Sequence, residues 1–125
     1  KKPMSTMAPT MIFDKNNDLM LITGSPGGSL IPAAILRVIS GVIDFNLDIG
    51  QATMLPRVHK DWPTTGILYE RTLNADSING IRKIGHKMTP EHTMGSTQSI
   101  HIKDGVNYGY ADLRRPNASV ATQVN

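Results

Sequence analysis

The hydrophobic pattern of the first 45 residues changes its period once, and this change constrains the fold more than any other feature. Two nearly continuous apolar runs, Thr10–Phe13 and Leu19–Thr23, flank a polar turn at 14–18, which predicts a β-hairpin. The continuity of both runs predicts strands that are covered on both faces. From 29 to 44, apolar residues recur every three or four positions, which predicts a helix packed on a core, with Ser29 as its N-cap.

Short elements of both kinds follow along the chain. Their predicted ranges are 49–55 and 76–84 for helices and 57–59 and 67–70 for strands. The dipeptide Asp104-Gly105 predicts the turn of a second hairpin, between strands at 98–103 and 106–111. The order of elements predicts an α+β fold with antiparallel hairpins and helices packed on a sheet, followed by an irregular tail at 117–125.

Composition excludes several classes of protein. The 125 residues contain no Cys, which excludes disulfides and a Cys nucleophile in this chain. The longest apolar stretch, Leu30–Phe45, is interrupted by Arg37 and Asp44, so we expect no membrane span. The formal charge of +3 comes from scattered basic residues without interleaved aromatics, so we expect no nucleic-acid partner. The four His lack the spacing of metal ligands, and we expect neither a metal nor a cofactor.

The string GSPGGS at 24–29 lies between the first hairpin and the predicted helix. Gly27 and Gly28 have no Cβ, so ligand atoms can approach their backbone closely. Unpaired N–H groups and the positive dipole end of the following helix favour an anion, such as a phosphate, a carboxylate or a developing oxyanion. The alternative is a tight strand-to-helix turn that requires Gly only for its conformation, and the residues themselves leave both interpretations open.

Two adjacent hydroxyl residues, Ser5 and Thr6, precede the first predicted strand. Their hydroxyls could hydrogen-bond a carboxylate or an amide of a ligand, or they could serve only as turn formers. No Ser–His–Asp order and no pair of acids can be assigned elsewhere in the chain. The residues alone therefore do not complete a catalytic site.

Five strings in their order resemble the carboxy-terminal part of the small subunit of γ-glutamyltranspeptidases: KPMSTMAPTM, TGSPGGS, MLPRVHKDW, MGSTQSI and YGYADLRRP. The resemblance runs from about Pro3 to about Asn117. It implies that 1–125 is a single incomplete domain, part of a four-layer αββα sandwich of the N-terminal-nucleophile hydrolase type with antiparallel sheets. It also implies a proenzyme that cleaves itself into a large and a small subunit, with a periplasmic, secreted or cell-surface location.

The activity implied by the resemblance is that of a γ-glutamyltransferase and glutathione hydrolase. In the family, a Thr that opens the small subunit attacks the γ-glutamyl amide of glutathione and related compounds. The acyl group then passes to water, an amino acid or a peptide. Gly27 and Gly28 match the paired glycines whose N–H groups form the oxyanion hole. Ser5 and Thr6 match the hydroxyl pair that holds the α-carboxylate of the γ-glutamyl group.

Two departures and one gap accompany the resemblance. Thr6 stands where the family commonly has a second Ser, and Ala111 and Leu113 depart from its Ser-Asp-Pro-Arg run, to which we assign no site. No position here matches the nucleophilic Thr, so we expect the isolated chain to be inactive and to need the upstream segment of the small subunit and the large subunit as partners. The alternative is a diverged or non-catalytic homologue that binds a related amide or γ-glutamyl ligand without efficient turnover.

Overall fold

The computed structural model of the protein describes residues 7–63 and 66–122. In chain order the strands and helices are β1 (Thr10–Phe13), β2 (Leu19–Gly24), α1 (Ile31–Ile43), α2 (Ile49–Met54), β3 (Val58–His59), β4 (Gly66–Glu70), α3 (Ala75–Lys83), β5 (Lys87–Glu91), β6 (Gln98–Lys103) and β7 (Val106–Ala111). They divide between two compact units. The first unit is built from the segments up to Leu55 and from Gly95 onward, and the second unit is Pro56–Met94.

The first unit contains an antiparallel sheet with the strand order β1-β2-β6-β7. Asp14 closes the turn between β1 and β2, because its Oδ1 accepts hydrogen bonds from the N–H groups of Asn16 (2.8 Å) and Asp18 (2.9 Å). Asp104 and Gly105 have φ angles of 52° and 74°, the left-handed pair that a two-residue hairpin turn requires. Both predicted hairpins are therefore confirmed.

Helix α1 packs an apolar stripe into the core of the first unit. Its buried residues recur at steps of three and four, and they are Ile31, Ala34, Ile35, Val38, Gly41 and Val42. The central cluster combines this stripe with β2 and α2 through Leu21, Val38, Val42, Ile49 and Ala52. The two helices approach closely at Gly41, where a Cβ would lie 2.8 Å from the Cβ of Ala52. The predicted stripe and the predicted second helix are confirmed.

The prediction that Ser29 caps α1 is wrong. Gly28–Leu30 form a 3-10 helix, and α1 begins after it with Leu30 at the N-cap position and Pro32 in its first turn. The chain leaves β2 through a tight turn before the α-helical hydrogen bonds begin. Ser29 therefore lies inside the 3-10 helix and not at the start of the α-helix.

One face of the antiparallel sheet carries exposed apolar side chains. Met11, Ile22 and Ile100 are register partners on β1, β2 and β6, so their side chains share a face. Met11 is 62% exposed and Ile100 is 41% exposed. Within the part of the chain that the structure describes, one face of these strands is covered and the other is exposed, so cover on both faces stays a prediction. The runs are continuous because both faces are apolar, although only one of them is buried here.

The second unit contains a sheet with the order β3-β4-β5 and helix α3. Strands β3 and β4 are antiparallel, whereas β4 and β5 are parallel, which adds a parallel pair to the predicted antiparallel arrangement. Helix α3 forms the connection between the two parallel strands, as such a pair requires. Asn74 caps α3 by accepting a hydrogen bond from the Ser77 N–H group (2.7 Å), and Gly85 follows its end with a φ of 96°.

The predicted irregular tail is described as far as residue 122. No helix or strand lies in 117–122. The assignment of 1–125 to a single incomplete domain stays a prediction.

Candidate functional site

The segment Gly24–Ser29, called the glycine loop below, joins β2 to the 3-10 helix. Gly27 and Gly28 have φ angles of 143° and 60°, in the left-handed region that residues with a Cβ rarely adopt. A Cβ on Gly27 would lie 3.2 Å from the Cα of Gly95, whereas a Cβ on Gly28 would meet no atom within 4 Å. Gly27 is thus packed against a second segment, and Gly28 faces open space.

The N–H groups of Gly27 and Gly28 are available to a ligand. Neither donates a hydrogen bond within the described residues, whereas the Gly27 carbonyl accepts one from the Leu30 N–H group (3.2 Å). Gly27 is the N-cap residue and Gly28 is the first residue of the 3-10 helix that leads into α1, where the aligned peptide dipoles favour negative charge. The two adjacent donors can therefore stabilise an anionic oxygen that approaches from the open side.

Ser25 holds the glycine loop from its buried side. Its side chain is 1% exposed, and its Oγ donates to the Pro26 carbonyl (2.7 Å) and accepts from the Ser96 N–H group (3.0 Å). Its own N–H group donates to the Met7 carbonyl (3.1 Å). Gly95 completes the contact, because a Cβ there would lie 2.6 Å from the Ser25 Oγ. Segments that are far apart in the sequence therefore meet at this one serine.

The predicted hydroxyl pair, Ser5 and Thr6, lies outside the described residues. Description of the chain begins at Met7, whose carbonyl is bonded to Ser25 of the glycine loop. The structure thus brings the segment that begins at Met7 to the predicted oxyanion donors. The role of the two hydroxyls stays a prediction.

The segment after β7, to which the sequence assigns no site, contains a buried ionic network. Asp112 is fully buried, and its Oδ2 accepts hydrogen bonds from the N–H (2.9 Å) and the hydroxyl (3.3 Å) of Thr97. Its Oδ1 accepts from the N–H (3.0 Å) and Nη1 (3.2 Å) of Arg114. Arg114 also donates to the carbonyls of Thr53 (2.8 Å) and Leu55 (3.0 Å) at the end of α2. The network ties the segment after β7 to the end of α2, and its signal in the sequence is the string YGYADLRRP, which contains both charged residues.

The second unit has its own buried polar cluster. Glu70 is 3% exposed, and its carboxylate accepts hydrogen bonds from the N–H groups of Arg57 (3.0 Å) and Met94 (2.9 Å). The fully buried Arg57 donates from Nη1 to the Met94 carbonyl (2.6 Å). The cluster therefore joins the segment before β3 to the segment after β5, at the two ends of this unit. Sequence patterns did not reveal it, because Arg and Glu are usually exposed.

The histidines show no common site. Among residues 7–63 and 66–122, no three His, Cys, Asp or Glu side chains are grouped as a metal site. His59 Nε2 lies 2.8 Å from the Asp61 carboxylate in the second unit. In the first unit, partial burial and then the positive charge of Lys103 lower the pKa of His101.

Within residues 7–63 and 66–122, every helix is too short or too polar to span a membrane.

The chain resembles known proteins in both sequence and structure. The gamma-glutamyltranspeptidase family model matches residues 1–122. The chain is 37% identical over 115 residues to the glutathione hydrolase proenzyme of Escherichia coli (strain K12). The aligned region covers 91% of the chain and 20% of that protein. It is 32% identical over 123 residues to the glutathione hydrolase proenzyme of Bacillus subtilis (strain 168), with coverages of 96% and 21%. The chain spans about a fifth of the length of these relatives.

Solved structures agree with the sequence matches. A mutant of Helicobacter pylori gamma-glutamyltranspeptidase superposes with a TM-score of 0.84 at 38% identity, covering 92% of this chain and 64% of that one. A cephalosporin acylase from Bacillus halodurans superposes with a TM-score of 0.81 at 25% identity, with coverages of 89% and 21%. The predicted α+β fold of the N-terminal-nucleophile hydrolase type is confirmed. Its motifs, its glycine loop and these matches together place the chain in the gamma-glutamyltranspeptidase family.

Proposed function

We propose that this chain is the C-terminal part of the catalytic subunit of a γ-glutamyltransferase and glutathione hydrolase, in which Gly27 and Gly28 form the oxyanion hole. The observation that carries the proposal is a pair of adjacent left-handed glycines whose N–H groups bond no described residue. Such donors act best when they are fixed before the reaction begins. The packing of Gly27 against Gly95 supplies that rigidity, and the open side of Gly28 supplies the access.

The proposed reaction proceeds through an acyl-enzyme. The hydroxyl of a Thr, supplied by the upstream segment, adds to the γ-carbonyl carbon of the donor, and the carbonyl oxygen becomes negative. The two glycine N–H groups stabilise this oxygen, and the loss of one such donor costs about 100- to 1000-fold in rate. The amide nitrogen then leaves with a proton, and water or an amine releases the γ-glutamyl group.

Ser5 and Thr6 are proposed to hold the α-carboxylate of the γ-glutamyl group. Hydroxyls can donate to a carboxylate oxygen, and Met7, which follows Thr6 in the chain, is bonded to the glycine loop. The proposed partners are the upstream segment, the large subunit of the same precursor, and glutathione or another γ-glutamyl compound. The proposed location is periplasmic, secreted or cell-surface.

The proposal is tested on the complete gene product that contains these residues. We expect it to release p-nitroaniline from γ-glutamyl-p-nitroanilide, and we expect the isolated 125-residue chain to be inactive. The intact masses of all polypeptides should include a chain that begins with Thr. A complete product without turnover, or an isolated chain with turnover, would contradict the proposal.

The oxyanion role is tested by Gly28→Ala. The added methyl enters the open side of the loop and meets no protein atom within 4 Å, so any loss of rate arises at the ligand or from the left-handed backbone. We expect kcat to fall by about 10- to 100-fold, less than the loss of a whole donor, because the Gly28 N–H group is displaced but not removed. Gly105→Ala in the turn between β6 and β7 is the matched control, because Gly105 also has a left-handed φ (74°) and open space around it. Full kcat in folded Gly28→Ala would refute the role.

A diverged homologue that acts on a related amide is the second candidate. Thr6 favours it, because Thr carries one methyl group more than the Ser that the family commonly has at this position. A structural neighbour at 25% identity is named a cephalosporin acylase and not a γ-glutamyltranspeptidase. Turnover of an acyl side-chain amide in preference to the γ-glutamyl anilide would support this candidate. Thr6→Ser should then shift the preference toward the γ-glutamyl donor.

A further inference from the structure

The carbonyl of Pro26 and the N–H group of Gly27 belong to one peptide unit. A peptide unit is planar, and in the trans form its C=O and N–H bonds point in opposite directions. Within the described residues the cis form occurs at Trp62-Pro63, and the Pro26-Gly27 bond is trans. A hydrogen bond that holds the Pro26 carbonyl therefore also sets the direction in which the Gly27 N–H group points.

Ser25 provides that hydrogen bond from a buried and directed hydroxyl. The Oγ accepts the Ser96 N–H group (3.0 Å) on one lone pair, and its single proton is directed to the Pro26 carbonyl (2.7 Å). Ser25 and Ser96 are each 1% exposed, so water does not compete for these bonds. Gly95 lies beside the same Oγ, because a Cβ on Gly95 would lie 2.6 Å from it.

We infer that Ser25 is a positioning residue for acyl transfer, which orients the Gly27 N–H group toward the developing oxyanion through the Pro26 carbonyl. The inference rests on the proposed function, in which Gly27 is an oxyanion donor. Ser25 touches no reacting atom in this scheme. Loss of the Ser25 hydroxyl should therefore reduce the stabilisation of the transition state without reducing the affinity for the substrate. We expect kcat to fall while KM for the γ-glutamyl donor stays unchanged.

The kinetic test uses Ser25→Ala and Ser25→Cys in the complete protein. The Cys thiol has a similar shape but is a weaker donor, so it weakens the hydrogen bond to the Pro26 carbonyl and largely keeps the packing. Ser25→Cys therefore provides the test if Ser25→Ala does not fold. Ser99→Ala is the matched control, because Ser99 is also buried and its Oγ bonds Thr23 Oγ1 (2.8 Å) between β2 and β6.

We expect kcat to fall about 10- to 100-fold in Ser25→Ala and by a smaller factor in Ser25→Cys, since a misdirected donor costs at most what a lost one does. KM for the donor should stay within about twofold in both variants, and kcat of Ser99→Ala should stay within about twofold of the parent. Folded Ser25 variants with unchanged kcat would overturn the inference. An equal loss of kcat in Ser99→Ala would also overturn it.

A second measurement separates this inference from the proposed function. Selective ¹⁵N-glycine labelling reports the amide of Gly27 directly, whatever the protein turns over. We expect Ser25→Ala to shift this resonance and to speed its hydrogen exchange, and we expect Ser99→Ala to leave both unchanged. If the parent protein fails to cleave the γ-glutamyl anilide, the proposed function fails and the Gly27 amide alone decides the positioning role. An unchanged Gly27 amide in Ser25→Ala refutes that role.

Discussion

Glu70→Gln tests whether the Glu70 carboxylate alone holds the segments at Arg57 and Met94 together in the second unit. In the structure the two carboxylate oxygens accept separate backbone N–H groups, one from Arg57 (3.0 Å) and one from Met94 (2.9 Å). Gln has nearly the same shape and keeps one carbonyl oxygen, but its NH₂ group can only donate. One of the two buried N–H groups therefore loses its acceptor and faces another donor.

The size of the effect follows from these contacts. A hydrogen bond to a charged acceptor contributes about 1.5–3 kcal/mol, and an unsatisfied buried donor costs a similar amount. Because Glu70 is 3% exposed, water does not replace the lost acceptor. We expect the free energy of local opening to fall by about 2–3 kcal/mol, which lowers amide protection by about 30- to 150-fold.

The measurement is hydrogen exchange of peptides that contain the amides of Arg57 and Met94, in the complete protein. Glu91→Gln is the control, because the Glu91 carboxylate accepts an exposed N–H group from its neighbour His92 (2.9 Å). Its effect should stay within about 0.5 kcal/mol, as for most exposed substitutions. If Glu70→Gln leaves the exchange of both amides unchanged, the carboxylate does not hold these segments.

Two further predictions concern the first unit. Arg114→Met removes the side-chain donors to the carbonyls of Thr53 and Leu55 and to the buried carboxylate of Asp112. We expect the free energy of urea unfolding to fall by about 3 kcal/mol. The exposed Arg115→Met should change it by less than about 0.5 kcal/mol, and equal effects of the two variants would contradict this role of Arg114. Because the pKa of His101 is lowered in the folded protein, the folded state favours the neutral imidazole. The neutral imidazole therefore contributes fully to stability above the unfolded-state pKa, and this contribution is lost as the pH falls through the lower folded-state pKa. Lys103→Gln should raise the pKa of His101 in an NMR titration, and a further decrease would exclude the charge of Lys103 as a cause.

The elements that the sequence predicts well are those whose cause is local. Asp104-Gly105 adopts the left-handed pair of a hairpin turn because Asn, Asp and Gly tolerate it, whatever the rest of the chain does. The stripe of α1 is periodic because one face of the helix is buried. Gly27 and Gly28 are predictable for the same reason, since adjacent glycines before a helix already indicate an unusual backbone.

The elements that sequence patterns miss depend on distant partners. Strand β5 contains Pro90 and pairs in parallel with β4 across a helical connection, so neither its composition nor a short turn predicts it. Proline is tolerated there because β5 lies at the edge of its sheet. Asp112 has the appearance of an exposed charge in the sequence, and only its fold partners Thr97 and Arg114 explain its burial.

The glycine loop and the string MGSTQSI are far apart in the sequence, but their backbones are in contact at Gly27 and Gly95. Gly95 lies in MGSTQSI, and its Cα is 3.2 Å from where a Cβ on Gly27 would lie, while a Cβ on Gly95 would lie 2.6 Å from the Ser25 Oγ. Neither glycine can therefore gain a side chain without displacing the other segment. In the proposed reaction, an oxygen that approaches Gly28 would meet a loop already fixed by this contact, and fixed donors stabilise developing charge without reorganising. The rigidity of the site thus resides in the contact between the two motifs, and neither motif encodes it alone.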